Sequence, residues 1–118
     1  MPVTRRAVIS EQQMSRVFRA LSDPTRRAGV AQLAHKPASM TELARPFRMA
    51  LPSFAQHLSV LEECGVVRSH KEGRVRHYQL VPQPLAVAED WMGAQRAIWG
   101  QRLDQLGAYV EKLQAEER

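Results

Sequence analysis

At 118 residues, with 44% hydrophobic and 25% charged side chains, the chain is long enough for one domain with its own core and too short for two independent ones. That composition excludes a disordered, collagenous or disulfide-stapled chain. The net charge of +5 is unevenly spread, with thirteen Lys or Arg against six Asp or Glu in residues 1–81 and four against six in residues 82–118. The basic part suits a polyanion, most commonly nucleic acid, or else forms a merely solvated face.

Taken in order, residues 1–9 (MPVTRRAVI) form an N-terminal arm. Ser10 followed by Gln13 reads as a capping box opening the first helix. Met14, Val17, Phe18 and Leu21 give that helix one apolar stripe. Asp23-Pro24 is the strongest helix start in the chain, since Asp accepts from free amides and Pro needs no donor at the first helical position. The second helix runs to about His35 and ends before Pro37. Ser39 and Glu42 form another capping box, for a short third helix from about Thr41 to Phe47.

Pro52 fits the first turn of a fourth helix, residues 51–64, in which Phe54, Leu58, Leu61 and Cys64 recur at helical spacing and Gly65 serves as C-cap. Its exposed face is expected to carry Ser53, Gln56, His57 and Ser59. Two strand-like runs, residues 66–70 and 74–80, flank Lys71-Glu72-Gly73 and predict a small basic β-hairpin within residues 66–81. Arg74 and Arg76 alternate with Val75 and are expected to share a face. Pro82 and Pro84 then break the chain before a long helix from about Leu85 to Leu113. In it Met92, Trp99, Leu106 and Leu113 repeat every seven residues, with Arg96, Leu103 and Val110 interleaved, as in a seam between helices.

Helix, turn, short helix, turn, helix and basic hairpin is the order of a winged helix-turn-helix. The fourth helix fits a major groove about 12 Å wide and presents amide, imidazole and hydroxyl groups to base edges. The hairpin reaches neighbouring phosphates. The expected fold is therefore mainly α with a small β-hairpin: a DNA-binding core at residues 10–81 and a dimerisation helix at 82–118 in one compact domain. Expected DNA contacts are Ser53, Gln56, His57, Ser59, Arg48, Lys71, Arg74, Arg76, His77, Arg26 and Arg27. The expected dimer interface is Met92, Trp99, Leu103, Leu106, Val110 and Leu113, helped by the first helix.

The strings LSDPTRR, HLSVLEECGVV and KEGRVRHYQL, in this order and spacing, resemble the ArsR (arsenical-resistance repressor) family over roughly residues 12–115. The resemblance implies a homodimeric winged-helix repressor reading a palindromic operator. Ala50 and Ala55 stand where the family commonly has Ser, and Gly29 where it often has a bulky apolar residue. The family's metal sensors carry a Cys-x-Cys segment at the third helix or Asp/His and His/Glu pairs on the last. The third helix here reads TELARPF and the last has no His, so the resemblance is to the metal-independent branch. It leaves any small-molecule effector unspecified.

Neither cofactor nor metal is expected: Cys64 sits at an apolar position, and His35, His57, His70 and His77 lack ligand-like spacing on one helix. A single Cys, no signal-peptide core in residues 1–9 and no run of about 18 apolar residues predict a cytoplasmic chain away from the membrane. Catalysis is not expected, for want of a nucleophile elbow, phosphate loop or metal motif. The alternative reading is a sequence-neutral nucleoid-type or RNA-binding module using the same basic face. RNA binders, however, usually expose stacking aromatics, and aromatics are only 6% of this chain.

Overall fold

A computed structural model describes residues 8–117. The expected arm lies outside the described residues, apart from Val8 and Ile9. The elements are α1 (Glu11–Leu21), α2 (Pro24–His35), β1 (Ala38–Ser39), α3 (Met40–Ala44), α4 (Leu51–Glu63), β2 (Val67–Glu72), β3 (Val75–Leu80) and α5 (Pro82–Glu116). They divide into two compact units, one ending at Ala88 and the other starting at Glu89.

The helix starts follow their caps. Asp23 accepts from the Arg26 amide at 3.0 Å, with Pro24 in the first turn of α2. Ser39 and Glu42 form a complete capping box, the Glu42 amide donating to Ser39 Oγ and the Ser39 amide to Glu42 Oε1. Ser10 forms only half of one. It accepts from the Gln13 amide, but the Gln13 side chain reaches away to donate to the Cys64 carbonyl at 3.1 Å. The α1 start is thereby tied to the α4 end.

Several boundaries differ from expectation. The third helix is shorter, ending at Ala44. Pro82 and Pro84 do not precede α5 but form its first turn, where amides have no intrahelical acceptor and proline loses nothing. And the hairpin is part of a three-stranded antiparallel sheet, order β1-β3-β2, because Ala38 and Ser39 pair with Tyr78 and His77.

The core of the first unit is shared by every element. Val17 and Ala20 from α1, Leu33 from α2, Leu43 from α3 and Phe54, Leu58 and Leu61 from α4 are buried, with Val67 and Tyr78 from the sheet closing it. The 3.6-residue period puts Phe54, Leu58 and Leu61 on one face of α4 and turns its opposite face outward. Two glycines are required by backbone geometry. Gly65 has φ +84° after α4, and a Cβ there would also meet the Gln13 side-chain Nε2 at 2.7 Å. Gly73 has φ +63° in the two-residue turn Gly73-Arg74 between β2 and β3.

Gly29 is different. It is buried in α2, but its φ is not positive, and an added Cβ would meet only Leu61 Cδ1 at 4.0 Å, an ordinary contact. Gly29→Ala is therefore expected to stabilise the fold by about 0.5–1 kcal/mol through helix propensity. Thermal denaturation at fixed protein concentration checks this, and a lowered midpoint would show that the space is not there.

Candidate nucleic-acid interface

On α4, Ser53, Gln56 and Ser59 are exposed and follow each other at three-residue intervals along the face opposite Phe54, Leu58 and Leu61. Two hydroxyls and a carboxamide thus stand on one ridge of a helix whose other side is fixed in the core. Ala50 at the N-cap provides no side-chain cap, and Pro52 lies in the first turn. Arg48 is exposed in the turn just before.

The wing lies beside this helix. Val67 pairs with Leu80, Lys71 with Arg76 and Glu72 with Val75. Arg74 occupies the turn rather than sharing a strand face with Arg76, as the alternation had suggested. Arg76 instead faces Lys71 directly, two like charges on adjacent strands, an arrangement unfavourable by itself. Arg76 Nη1 donates to Ser69 Oγ at 2.9 Å, and Ser69 Oγ donates to Glu62 Oε2 at 2.8 Å, so a hydrogen-bond relay links the wing to the last turn of α4. Arg74 and Arg76 also line a cleft of about 260 Å³ with Met40, Thr41, Leu51 and Val75, where the wing meets the starts of α3 and α4. His77 is half-buried, stacked on His70 at 5.5 Å, with Nε2 3.6 Å from Glu72 Oε2.

Two of the expected contacts are placed differently. His57 is not fully exposed: its side chain keeps 25% exposure, and Nδ1 lies 3.1 Å from Arg26 Nη1. Arg26 is not a free DNA-facing cation. Its Nε donates to the Ala20 carbonyl at 2.7 Å and its Nη2 to the Arg19 carbonyl at 3.3 Å, so it closes the C-terminus of α1. Arg27 Nη1 donates to the Leu21 carbonyl at 2.8 Å while the side chain stays exposed. These contacts also explain why the Asp23 carboxyl is held below its ordinary value, the Arg26 amide being the main cause.

Arg68 is not among the expected contacts. It is exposed on β2, and with the Gln79 amide oriented to accept, its Nη2 and Nε donate to the Gln79 oxygen at 2.6 and 2.9 Å. Its alternation with His70 would have placed it on the outer hairpin face. Cys64 is buried, its thiol donating to the Leu61 carbonyl at 3.3 Å, and burial pushes its pKa up, which disfavours the reactive thiolate. Among the described residues, no group of three His, Cys, Asp or Glu is placed to hold a metal ion. Among them, too, no helix is long and apolar enough to cross a membrane.

The second unit carries a different surface. Met92, Leu103, Leu106, Val110 and Leu113 are exposed, as is Trp99 at 62%. Ile98 and Tyr109, not anticipated from the heptad spacing, are exposed as well. At 100° per residue they widen the same stripe on one flank rather than lying opposite it.

A helix with a polar outer ridge, buried on its other face and flanked by a basic hairpin, defines a winged helix-turn-helix protein. A helix-turn-helix domain family matches residues 21–70. The HTH-type transcriptional regulator Rv2034 of Mycobacterium tuberculosis is 45% identical over 71 residues, 60% of this chain and 66% of that protein. The transcriptional repressor SdpR of Bacillus subtilis is 33% identical over 79 residues, 67% of this chain and 88% of that one. The crystal structure of an ArsR family transcriptional regulator, RHA00566, superposes with a TM-score of 0.73 at 43% identity, covering 79% of this chain and 96% of that one. The chain belongs to the ArsR family of helix-turn-helix transcriptional regulators.

Proposed function

We propose that the chain is a repressor that binds a palindromic operator as a homodimer, with α4 of each subunit in the major groove and the wing on the flanking backbone. The observation that carries this reading is the exposed ridge Ser53, Gln56 and Ser59 beside a wing bearing Lys71, Arg74 and Arg76. Gln56 is the main base reader, since a carboxamide bonds adenine N6 and N7 together. Arg48, Lys71, Arg74 and Arg76 contact phosphates, and the unfavourable Lys71–Arg76 pairing is relieved when a phosphate lies between them. Ser59 and His77 lie at the margins of the same surface, and Arg27 contacts the backbone with the donors its Leu21 bond leaves over.

Residues 10–81 serve as the DNA-binding part and 82–118 as the dimerisation part. Dimerisation uses Met92, Trp99, Leu103, Leu106, Val110 and Leu113. The protein acts in the cytoplasm by occupying DNA and catalyses no reaction. Its control is by a small molecule or by its own concentration, not by a bound metal.

Selection of bound sequences from a random DNA pool is the deciding experiment, with a palindromic consensus expected. Gln56→Ala is expected to lose about 1–3 kcal/mol of discrimination at one base pair per half-site. Arg74→Ala weakens all sequences alike and lowers the salt slope by about one. Equal weakening across sequences in both variants would place base reading elsewhere on the helix. A specific-to-non-specific ratio well below about 10³ would favour the sequence-neutral module instead.

A further inference from the structure

We infer that Arg26 fixes the imidazole of His57 as its Nε2–H tautomer, making His57 a hydrogen-bond donor to an acceptor atom of bound DNA and Arg26 the residue that positions it. The inference rests on the placement of α4 in the major groove proposed above.

A guanidinium has five donors and no acceptor. With Arg26 Nη1 at 3.1 Å from His57 Nδ1, the contact is a hydrogen bond only if Nδ1 offers its lone pair. The neutral ring must then carry its proton on Nε2, on the other edge. The competing tautomer would have to donate from Nδ1 to Asp23. The Asp23 Oδ2 is 3.7 Å away, beyond hydrogen-bond length, and already accepts from the Arg26 amide at 3.0 Å. Arg26 cannot swing aside at no cost, because Nε and Nη2 are held by the Ala20 and Arg19 carbonyls. One planar group thus joins the end of α1, the start of α2 and the middle of α4.

The chemical consequence is selective. A ring with Nε2–H donates and does not accept at that edge, so it suits guanine N7 or O6, adenine N7, thymine O4 or a phosphate oxygen, and it is mismatched to the exocyclic amino groups of adenine and cytosine. His57 lies one residue beyond Gln56 and keeps a quarter of its side chain exposed. Gln56 offers both donor and acceptor, whereas His57 adds a polarity that only acceptors satisfy.

The first measurement is two-bond proton–nitrogen correlation of the His57 ring in the full chain without DNA, at alkaline pH. Nε2–H with bare Nδ1 is expected, and Nδ1–H overturns the inference. In Arg26→Lys the unique tautomer is expected to give way to a mixture, an outcome that mere loss of packing would not produce. The second measurement uses DNA. His57→Asn keeps an acceptor at the Nδ1 position and lacks the outward donor, whereas His57→Gln keeps the donor and lacks the inward acceptor.

Affinity in His57→Asn is expected to fall about ten- to a hundredfold, with His57→Gln recovering part of it. A loss confined to one base pair identifies a base edge, and a uniform loss identifies a phosphate. Unchanged affinity in His57→Asn overturns the donor role. A parent protein that enriches no sequence overturns the operator reading instead, and the ring spectra then decide the tautomer by themselves.

Discussion

Phe54→Ala is expected to destabilise the first unit by about 3–5 kcal/mol, the range for emptying a buried aromatic site. Phe54 is 1% exposed and heads the fully buried side chains by volume. Its ring stacks on Phe47 with centroids 5.3 Å apart and planes at 28°, so truncation removes an aromatic pair as well as apolar area. It stands on the same helix as Gln56, and Leu58 and Leu61 continue its buried face. Domains of this size are stable by about 5–15 kcal/mol, so the loss is about a fifth or more of the total. Urea denaturation followed by circular dichroism, at one fixed protein concentration because of the proposed dimer, measures it. A change below about 1 kcal/mol would mean that α4 is not held in the core by this residue.

The helices were legible where a local signal decides them. Asp23-Pro24 and Ser39 with Glu42 announce helix starts through backbone chemistry within four residues, and the structure has both. The period of Phe54, Leu58 and Leu61 is enough to set which side of α4 faces outward. β1 was not legible, because Ala38-Ser39 has no strand pattern of its own and exists only by pairing with residues about forty positions away on β3. The same distance effect hid the second half of the Ser10 box. Gln13 has the right spacing for a local cap, yet the Cys64 carbonyl, 51 residues on, takes its side chain.

The candidate site divides along the same line. Exposure of Ser53, Gln56 and Ser59 follows from helical period alone. Arg26 and His57 have the right residue types for DNA contact, but their partners are each other and the end of α1, across 31 and six or seven residues. A charge on a basic surface gives no sign of whether its donors are already engaged. Pro82 and Pro84, in the first turn of α5, differ from expectation for the opposite reason: proline reports that an amide is missing, and only the position within the helix says whether that matters.

Leu106→Asp is expected to convert a dimer into a monomer and to reduce affinity for a palindromic site by about 10²–10⁴-fold. Leu106 is 58% exposed in the single chain, with Trp99 and Leu103 above 60% on the same stripe of α5. A run of large apolar side chains of this length marks an interface. Seven residues fall 20° short of two full turns, so Met92, Trp99, Leu106 and Leu113 drift slowly around the helix and remain on one face over about six turns. Ile98 and Tyr109 broaden that face beyond a strict two-position seam. A carboxylate at its middle position must be desolvated against apolar side chains when two copies meet, at a cost of several kcal/mol. The effect on DNA follows from linkage between subunits: once one subunit is bound, the second reads its half-site at an effective concentration in the millimolar range, and a monomer lacks this gain. Light scattering gives the mass and titration on full and half operators gives the affinities. The expected pattern is half the parent mass, a large loss on the palindrome and little change on the half-site. Equal mass in the two proteins would show that α5 is not the seam, and equal affinity on the palindrome despite a monomeric variant would show that each subunit binds alone.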